Sequence, residues 1–90
     1  MKGSIQKKGS GYKDLKVWQK AMRFVKAVYR SMENLPNAER FGIRSQIARA
    51  AVSIPCNIAE GWGRNSKKDF IRFLQIARSS ALEVETLLIL

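Results

Sequence analysis

Six bases recur along one early segment of this 90-residue chain: Lys13, Lys16, Lys20, Arg23, Lys26 and Arg30. Lysine and arginine neutralise phosphates and release their counterions, which makes binding to a polyanion strong and salt-sensitive. Lys16, Arg23 and Arg30 recur every seven residues with Lys20 beside them, a spacing suited to tracking an anionic backbone. The same bases fit a solvated helix face, and both readings stand. Lys67, Lys68 and Arg72 form a second group at the start of a predicted helix, where free N–H groups also favour anions. Phosphate contact and solvated charge are again both open.

No constellation for catalysis or metal binding accompanies them. There is no histidine and a single cysteine, Cys56, so neither a disulfide nor a zinc site is within reach. Acid–base chemistry would fall to carboxylates or lysines, and Asp69, Glu83 and Glu85 show no paired arrangement. The expectation is a protein that is not an enzyme and takes no cofactor. Cys56 reads as a small core residue. Trp18, Phe24, Trp62, Phe70 and Phe73 stand at core-like spacing, which favours packing over base stacking. Gly61-Trp-Gly63 superficially resembles a phosphate loop but follows a helix and lacks a third glycine. Pro55, Asn57, Glu60, Gly61 and Arg64 read as a buried structural network. In it Glu60 pairs with Arg64 at i,i+4, and Asn57 bonds a carbonyl that Pro55 has freed.

The overall charge supports a polyanionic partner. Seventeen Lys+Arg against seven Asp+Glu give +10, and 46% of the residues are hydrophobic. Such an imbalance repels itself unless an anion or salt relieves it. It is also uneven. Residues 1–30 hold nine bases and one acid, Asp14, whereas residues 79–90 hold Glu83, Glu85 and no base. No apolar run approaches the ~18 residues of a membrane span. With the lone cysteine, this leads to the expectation of a cytoplasmic protein without a membrane role.

The elements that carry these residues are helices. Residues 1–11, with three glycines, two serines and three lysines, read as a flexible basic N-terminal arm ahead of a helical-bundle domain over 12–90. A first helix is predicted over about 14–34, from Asp14 to the stop signal Asn34-Leu35-Pro36. Leu15, Trp18, Met22, Val25, Tyr29 and Met32 form its seam, and Val17, Ala21, Phe24 and Val28 widen it. The apolar arc then covers about 180°, more than the ~100° stripe of a helix facing one core.

A second helix is predicted over 38–62, opened by Asn37-Ala38-Glu39. Its seam is Ile43, Ile47, Ala51, Ile54, Ile58 and Trp62, small alanines invite close approach, Pro55 bends it without breaking it, and Gly61 and Gly63 are candidate caps. A third is predicted over 66–90, with Ser66 and Asp69 resembling a capping box. Its seam runs Phe70, Leu74, Ala77, Ala81, Val84 and Leu88, and Leu87-Leu88-Ile89-Leu90 is apolar on every side. These helices require more apolar contact than the three supply to one another. Helices this long are also unsuited to a helix-turn-helix DNA reader.

Three stretches resemble a known family. They are Tyr12-Lys-Asp-Leu-Lys-Val-Trp-Gln-Lys-Ala21, Ser53-Ile-Pro-Cys-Asn-Ile-Ala-Glu-Gly61, and Phe70-Ile-Arg-Phe-Leu-Gln-Ile-Ala-Arg78 running into Glu83-Val-Glu-Thr86. They are similar to the four-helix-bundle proteins called 23S rRNA intervening-sequence proteins, whose relatives include accessory proteins of diversity-generating retroelements. The resemblance covers residues 12–90 and is most specific in the Ser-Ile-Pro stretch. It implies an all-α antiparallel up-down bundle with three long helices present and a fourth absent from the residues to Leu90. It further implies a bacterial homo-oligomer, usually a pentamer, and a partner that is structured RNA or a reverse transcriptase. The family name records genomic location and is not evidence of rRNA binding. Members usually carry glycine where Ser79 stands. The reading that follows is an oligomeric scaffold binding nucleic acid, RNA ahead of DNA, through its basic face. The alternative is an adaptor for an acidic protein such as a reverse transcriptase, without nucleic-acid contact.

Overall fold

The computed structural model describes residues 11–34 and 40–90. Among these, all regular structure is helical. A 3-10 turn, Gly11–Asp14, leads into α1 (Lys16–Met32); a π-helical turn, Arg40–Arg44, leads into α2 (Ser45–Gly63); and α3 spans Lys67–Ile89. The expected basic arm (apart from Gly11) lies outside the described residues. So do the expected opening of the second helix at Asn37-Ala38-Glu39 and the Leu35-Pro36 part of the stop signal.

The helices follow the predicted spans to within a few residues at most ends. Two starts differ for physical reasons. Asp14 ends the 3-10 turn instead of opening α1; extended Leu15 intervenes, and the Gln19 side chain donates to the Lys13 carbonyl at 2.9 Å. The start of α2 has no side-chain cap, because Arg44 is itself helical and the π turn runs directly into it. The Arg44 guanidinium instead donates 2.6 Å to the Met32 carbonyl, satisfying an end group of α1 and pinning the end of α1 beside the start of α2. At α3 the expected cap is present: the Ser66 hydroxyl oxygen accepts from the Asp69 N–H at 3.3 Å.

α2 is the central helix. α1 and α3 each pack along it and barely touch each other. The Arg44–Met32 bond joins one end of the α1–α2 pair, and the 3-10 turn meets Trp62 at the other, so these helices run antiparallel. A three-residue link, with Asn65 in the left-handed region at φ 58°, reverses the chain into α3. The core is Ala21, Val28 and Met32 from α1, Ile47, Ala50, Ala51, Ile54 and Ile58 from α2, and Phe73, Ala77 and Val84 from α3. Ile47, Ile58 and Val84 are the large side chains most completely enclosed. Each such residue contributes about 1.5–3 kcal/mol relative to exposure. Pro55 is buried within α2, and the helix continues unbroken past it.

The predicted role of Gly61 changes. It caps nothing: α2 runs on to Gly63, and Gly61 is buried inside it. A Cβ on Gly61 would stand 2.5 Å from the Phe73 Cβ, so only glycine lets α2 and α3 approach this closely. Around Gly63 there is open space. Ser79 is exposed and bonds back to the Gln75 carbonyl at 3.1 Å, so its side chain disturbs no packing. Gly61→Ala is expected to lower unfolding free energy by about 1–3 kcal/mol through overpacking. Gly63→Ala is expected to be neutral or to stabilise by up to about 1 kcal/mol through helix propensity. Urea denaturation followed by circular dichroism checks the pair; equal effects at the two positions would contradict the close approach.

Candidate nucleic-acid interface

Every base predicted on the first helix is exposed: Lys13 in the 3-10 turn, and Lys16, Lys20, Arg23, Lys26 and Arg30 on α1. From Lys16 to Met32 the helix contains no Asp or Glu. Its opposite side carries the buried Ala21, Val28 and Met32, so amphipathic folding alone collects five bases on one face. At 1.5 Å rise per residue, Lys16, Arg23 and Arg30 stand about 10 Å apart along the axis. The stripe therefore spans about 21 Å. Neither of the ion pairs Glu60–Arg64 and Asp69–Arg72 uses a base of α1.

The second basic group is placed by aromatic packing. Trp62 at the end of α2 meets Phe70 edge to face, with ring centroids 5.3 Å apart. Tyr12 meets Trp18 in the same way, also at 5.3 Å. Gly11, at φ 85°, brings the 3-10 turn to within 3.9 Å of the Trp62 indole nitrogen, measured from a Cβ built on the glycine. The start of α1 and the start of α3 thus share one end of the bundle. Lys13 and Lys16 join Lys67 and Lys68 there, all four exposed.

Arg72 is less free than the sequence suggests. Its guanidinium pairs with Asp69 at 3.7 Å and lies 4.9 Å from the centre of the Phe73 ring. Arg64 lies over the same ring at 5.2 Å. Two cations on one aromatic ring are an arrangement that only the packed hairpin creates. It adds Arg64 to this basic end, a residue the sequence reading assigned to structure.

The expected buried network around Pro55 is corrected. Glu60 and Arg64 do pair, at 3.1 Å, but both side chains are about half exposed (55% and 48%). An exposed i,i+4 pair contributes only about 0.3–0.5 kcal/mol. Asn57 is half-buried and donates 2.7 Å to the Ser53 carbonyl, not to the Ala51 carbonyl that Pro55 leaves without its helical partner. A polar contact that does cross from α2 to α3 joins the hydroxyls of Ser53 and Ser80. Cys56 is exposed, contrary to its expected place in the core: it stands on the open face that α2 forms beside Trp18 and Met22 of α1. Phe24 is 38% exposed on α1, while Phe73 is buried and Trp18, Trp62 and Phe70 are half-buried.

Among the described residues no three His, Cys, Asp or Glu side chains gather as a metal site, and no helix is long and apolar enough to cross a membrane. What the surface offers is cationic charge on a rigid helical frame. It defines the class: an all-α bundle with a basic face and an apolar core built around one central helix. The family follows from the sequence match. A family model described as 23S rRNA-intervening sequence protein matches residues 13–90, and the chain belongs to that family. No curated protein matches it.

A stripe without counter-charge repels itself, and salt screens the repulsion, with a Debye length falling from about 30 Å at 0.01 M to about 3 Å at 1 M. Replacing Lys16, Arg23 and Arg30 together by glutamine is expected to raise the melting temperature in low salt and to flatten its rise with added NaCl. Melting curves of the two proteins at several salt concentrations check this; parallel salt dependences would show that the stripe carries no repulsion.

Proposed function

We propose that this protein is a non-enzymatic helical-bundle scaffold that assembles with copies of itself and binds nucleic acid, structured RNA ahead of DNA, through the basic face of α1. The observation that carries the reading is α1 itself: five exposed bases, no acid, and an apolar face that fixes their direction. Lys13, Lys67 and Lys68 extend the cationic surface around one end of the bundle. The preference for RNA rests on the family resemblance.

Assembly is supported by an uncovered apolar face on the side of α1 and α2 away from α3. Trp18 and Met22 border it with Val52, Cys56 and Ala59, and Tyr29 extends it at 46% exposure. Large side chains on α1 face small ones on α2, which suits a neighbouring copy placed with its helices exchanged. A ring, five-membered as in the family, repeats the stripe and adds weak phosphate contacts by avidity. The bacterial cytoplasm is the compartment this reading supposes. A second reading, an adaptor for an acidic protein such as a reverse transcriptase, is favoured by the exposed Val17 and Phe24 of α1, which stand beside Lys20 and Arg78. Partners that survive nuclease treatment in a pull-down distinguish it.

Fluorescence anisotropy with a labelled RNA stem-loop tests the first reading. Binding is expected at about 50 mM salt and should fall steeply as salt rises. Substituting Lys16, Arg23 and Arg30 singly by glutamine should reduce the slope of log K against log salt by about 0.7–0.9 each. Affinity indifferent to salt, or absent at low salt, would falsify the proposal. Light scattering with and without nuclease reports the mass of the assembly alongside.

A further inference from the structure

Arg64 and Arg72 meet on one ring although they come from different parts of the chain: Arg64 follows α2, and Arg72 belongs to α3. Their guanidiniums stand 5.2 Å and 4.9 Å from the centre of the buried Phe73 ring. Each is also held at its edge. The Arg64 Nε–H donates to a Glu60 carboxylate oxygen at 3.1 Å, and the Arg72 Nη2 stands 3.7 Å from an Asp69 oxygen. Ring and carboxylate together orient both groups. Yet the Arg64 side chain is 48% exposed and that of Arg72 58%. One side of each guanidinium lies over the ring, so the side that remains open faces solvent. Arg72 is about 200° around the helix from Leu74. It therefore stands on the far side of α3 from the trough that Leu74 and Ala81 form with α1.

A guanidinium binds in two ways. Its N–H bonds lie in its plane and reach oxygens at the edge; its faces carry no donor and stack on π systems. Here the edges already serve carboxylates, and the two carboxylates offset the two charges. A phosphate gains little at these arginines. The open faces are what a ligand meets, and they suit a flat, polarisable ring such as a nucleobase. Phosphate contact falls to Lys68, which is exposed and precedes Arg72 by four residues, about 6 Å along α3. Lys67 adjoins it, and Lys13 and Lys16 share this end of the bundle. A base inside a duplex has both faces covered by its neighbours, so the arrangement selects a base outside one.

We infer that Arg64 and Arg72, laid on Phe73, form a platform on which one unpaired nucleobase stacks, so that the protein takes RNA where a single strand leaves a duplex. The inference rests on the RNA-binding reading and adds to it the part of the RNA that the end of the bundle takes. The stripe of α1 follows the backbone, and the platform distinguishes a junction from a uniform duplex.

The test uses the full chain and three labelled RNAs that share one duplex. One is blunt, the second has an overhang of unpaired adenosines, and the third has an abasic overhang of the same length and charge. Anisotropy is expected to show the adenosine overhang bound about tenfold tighter than the abasic one. Arg64→Lys with Arg72→Lys keeps both charges and removes both flat faces; it should bring the two overhangs to equal affinity. Replacing Lys16, Arg23 and Arg30 together by glutamine should weaken all three RNAs and preserve the ratio. Equal binding of the two overhangs by the unaltered protein would overturn the inference. So would a preference that survives the double substitution, since the base would then stack elsewhere. A second measurement needs no RNA strand. Adenosine monophosphate should shift the Arg64 and Arg72 Nε–H signals in NMR by ring current, and ribose 5-phosphate, of the same charge, should leave them in place. If no RNA binds but the nucleotide shifts both signals, the RNA-binding reading fails and the base platform stands. If neither is seen, both fail.

Discussion

The approach of α2 to α3 at Gly61 sets the geometry of the molecule. Phe73 occupies the space that any larger residue at position 61 would need, with a built Cβ only 2.5 Å from its own. With the two helices held this close, the link Arg64–Ser66 is short and Asn65 takes the left-handed conformation that turns the chain back. Phe70 comes to rest on Trp62, Trp62 lies beneath the 3-10 turn, and the start of α1 is fixed at the same end as the start of α3. The basic residues of two helices share a surface because of this chain of contacts. Helix pairing at a small residue also explains why the described core is built from alanines and aliphatic side chains around α2, with no buried polar or charged residue among those described.

Charge and burial act on α1 in opposition. Its apolar side attaches it to α2, and the other side concentrates positive charge without an acid to offset it. Exposed surface charges in salt interact weakly one pair at a time, but a single-sign stripe accumulates a field that a polyanion relieves. Under the proposed reading, the charge that weakens the isolated bundle is the charge that a phosphate backbone would neutralise. The bases over Phe73 differ from these. Arg64 and Arg72 each have a carboxylate partner and a ring contact, and these contacts orient them.

Two helices packed on a central one leave two apolar faces, and the two differ in chemistry. The face of α1 and α2 that includes Trp18, Tyr29 and Val52 has large residues opposite small ones. The groove between α1 and α3 is a trough with basic rims. The exposed Ile89 and Leu90 at the end of α3 add to the apolar surface still open to contact.

The periodicity of apolar residues alone determined that the chain is three helices, roughly where each lies, and that α1 would separate a basic face from a broad apolar one. These are properties of a helix and its sequence, since every residue's angular position follows from its number. Ser66 as a cap and Glu60–Arg64 as a pair were legible for the same reason, being local to one turn. What depends on distance between elements was not. Gly61 looked like a cap and proved to be a contact, because its role is set by Phe73, twelve residues later. Cys56 looked buried because apolar spacing cannot say which side of a helix a neighbour covers. The joining of Lys13 and Lys16 with Lys67 and Lys68, the two guanidiniums on one ring and the groove bordered by Lys20 and Arg78 arise only when α2 brings α1 and α3 to its two sides, and packing between helices is where a sequence pattern ceases to specify neighbours.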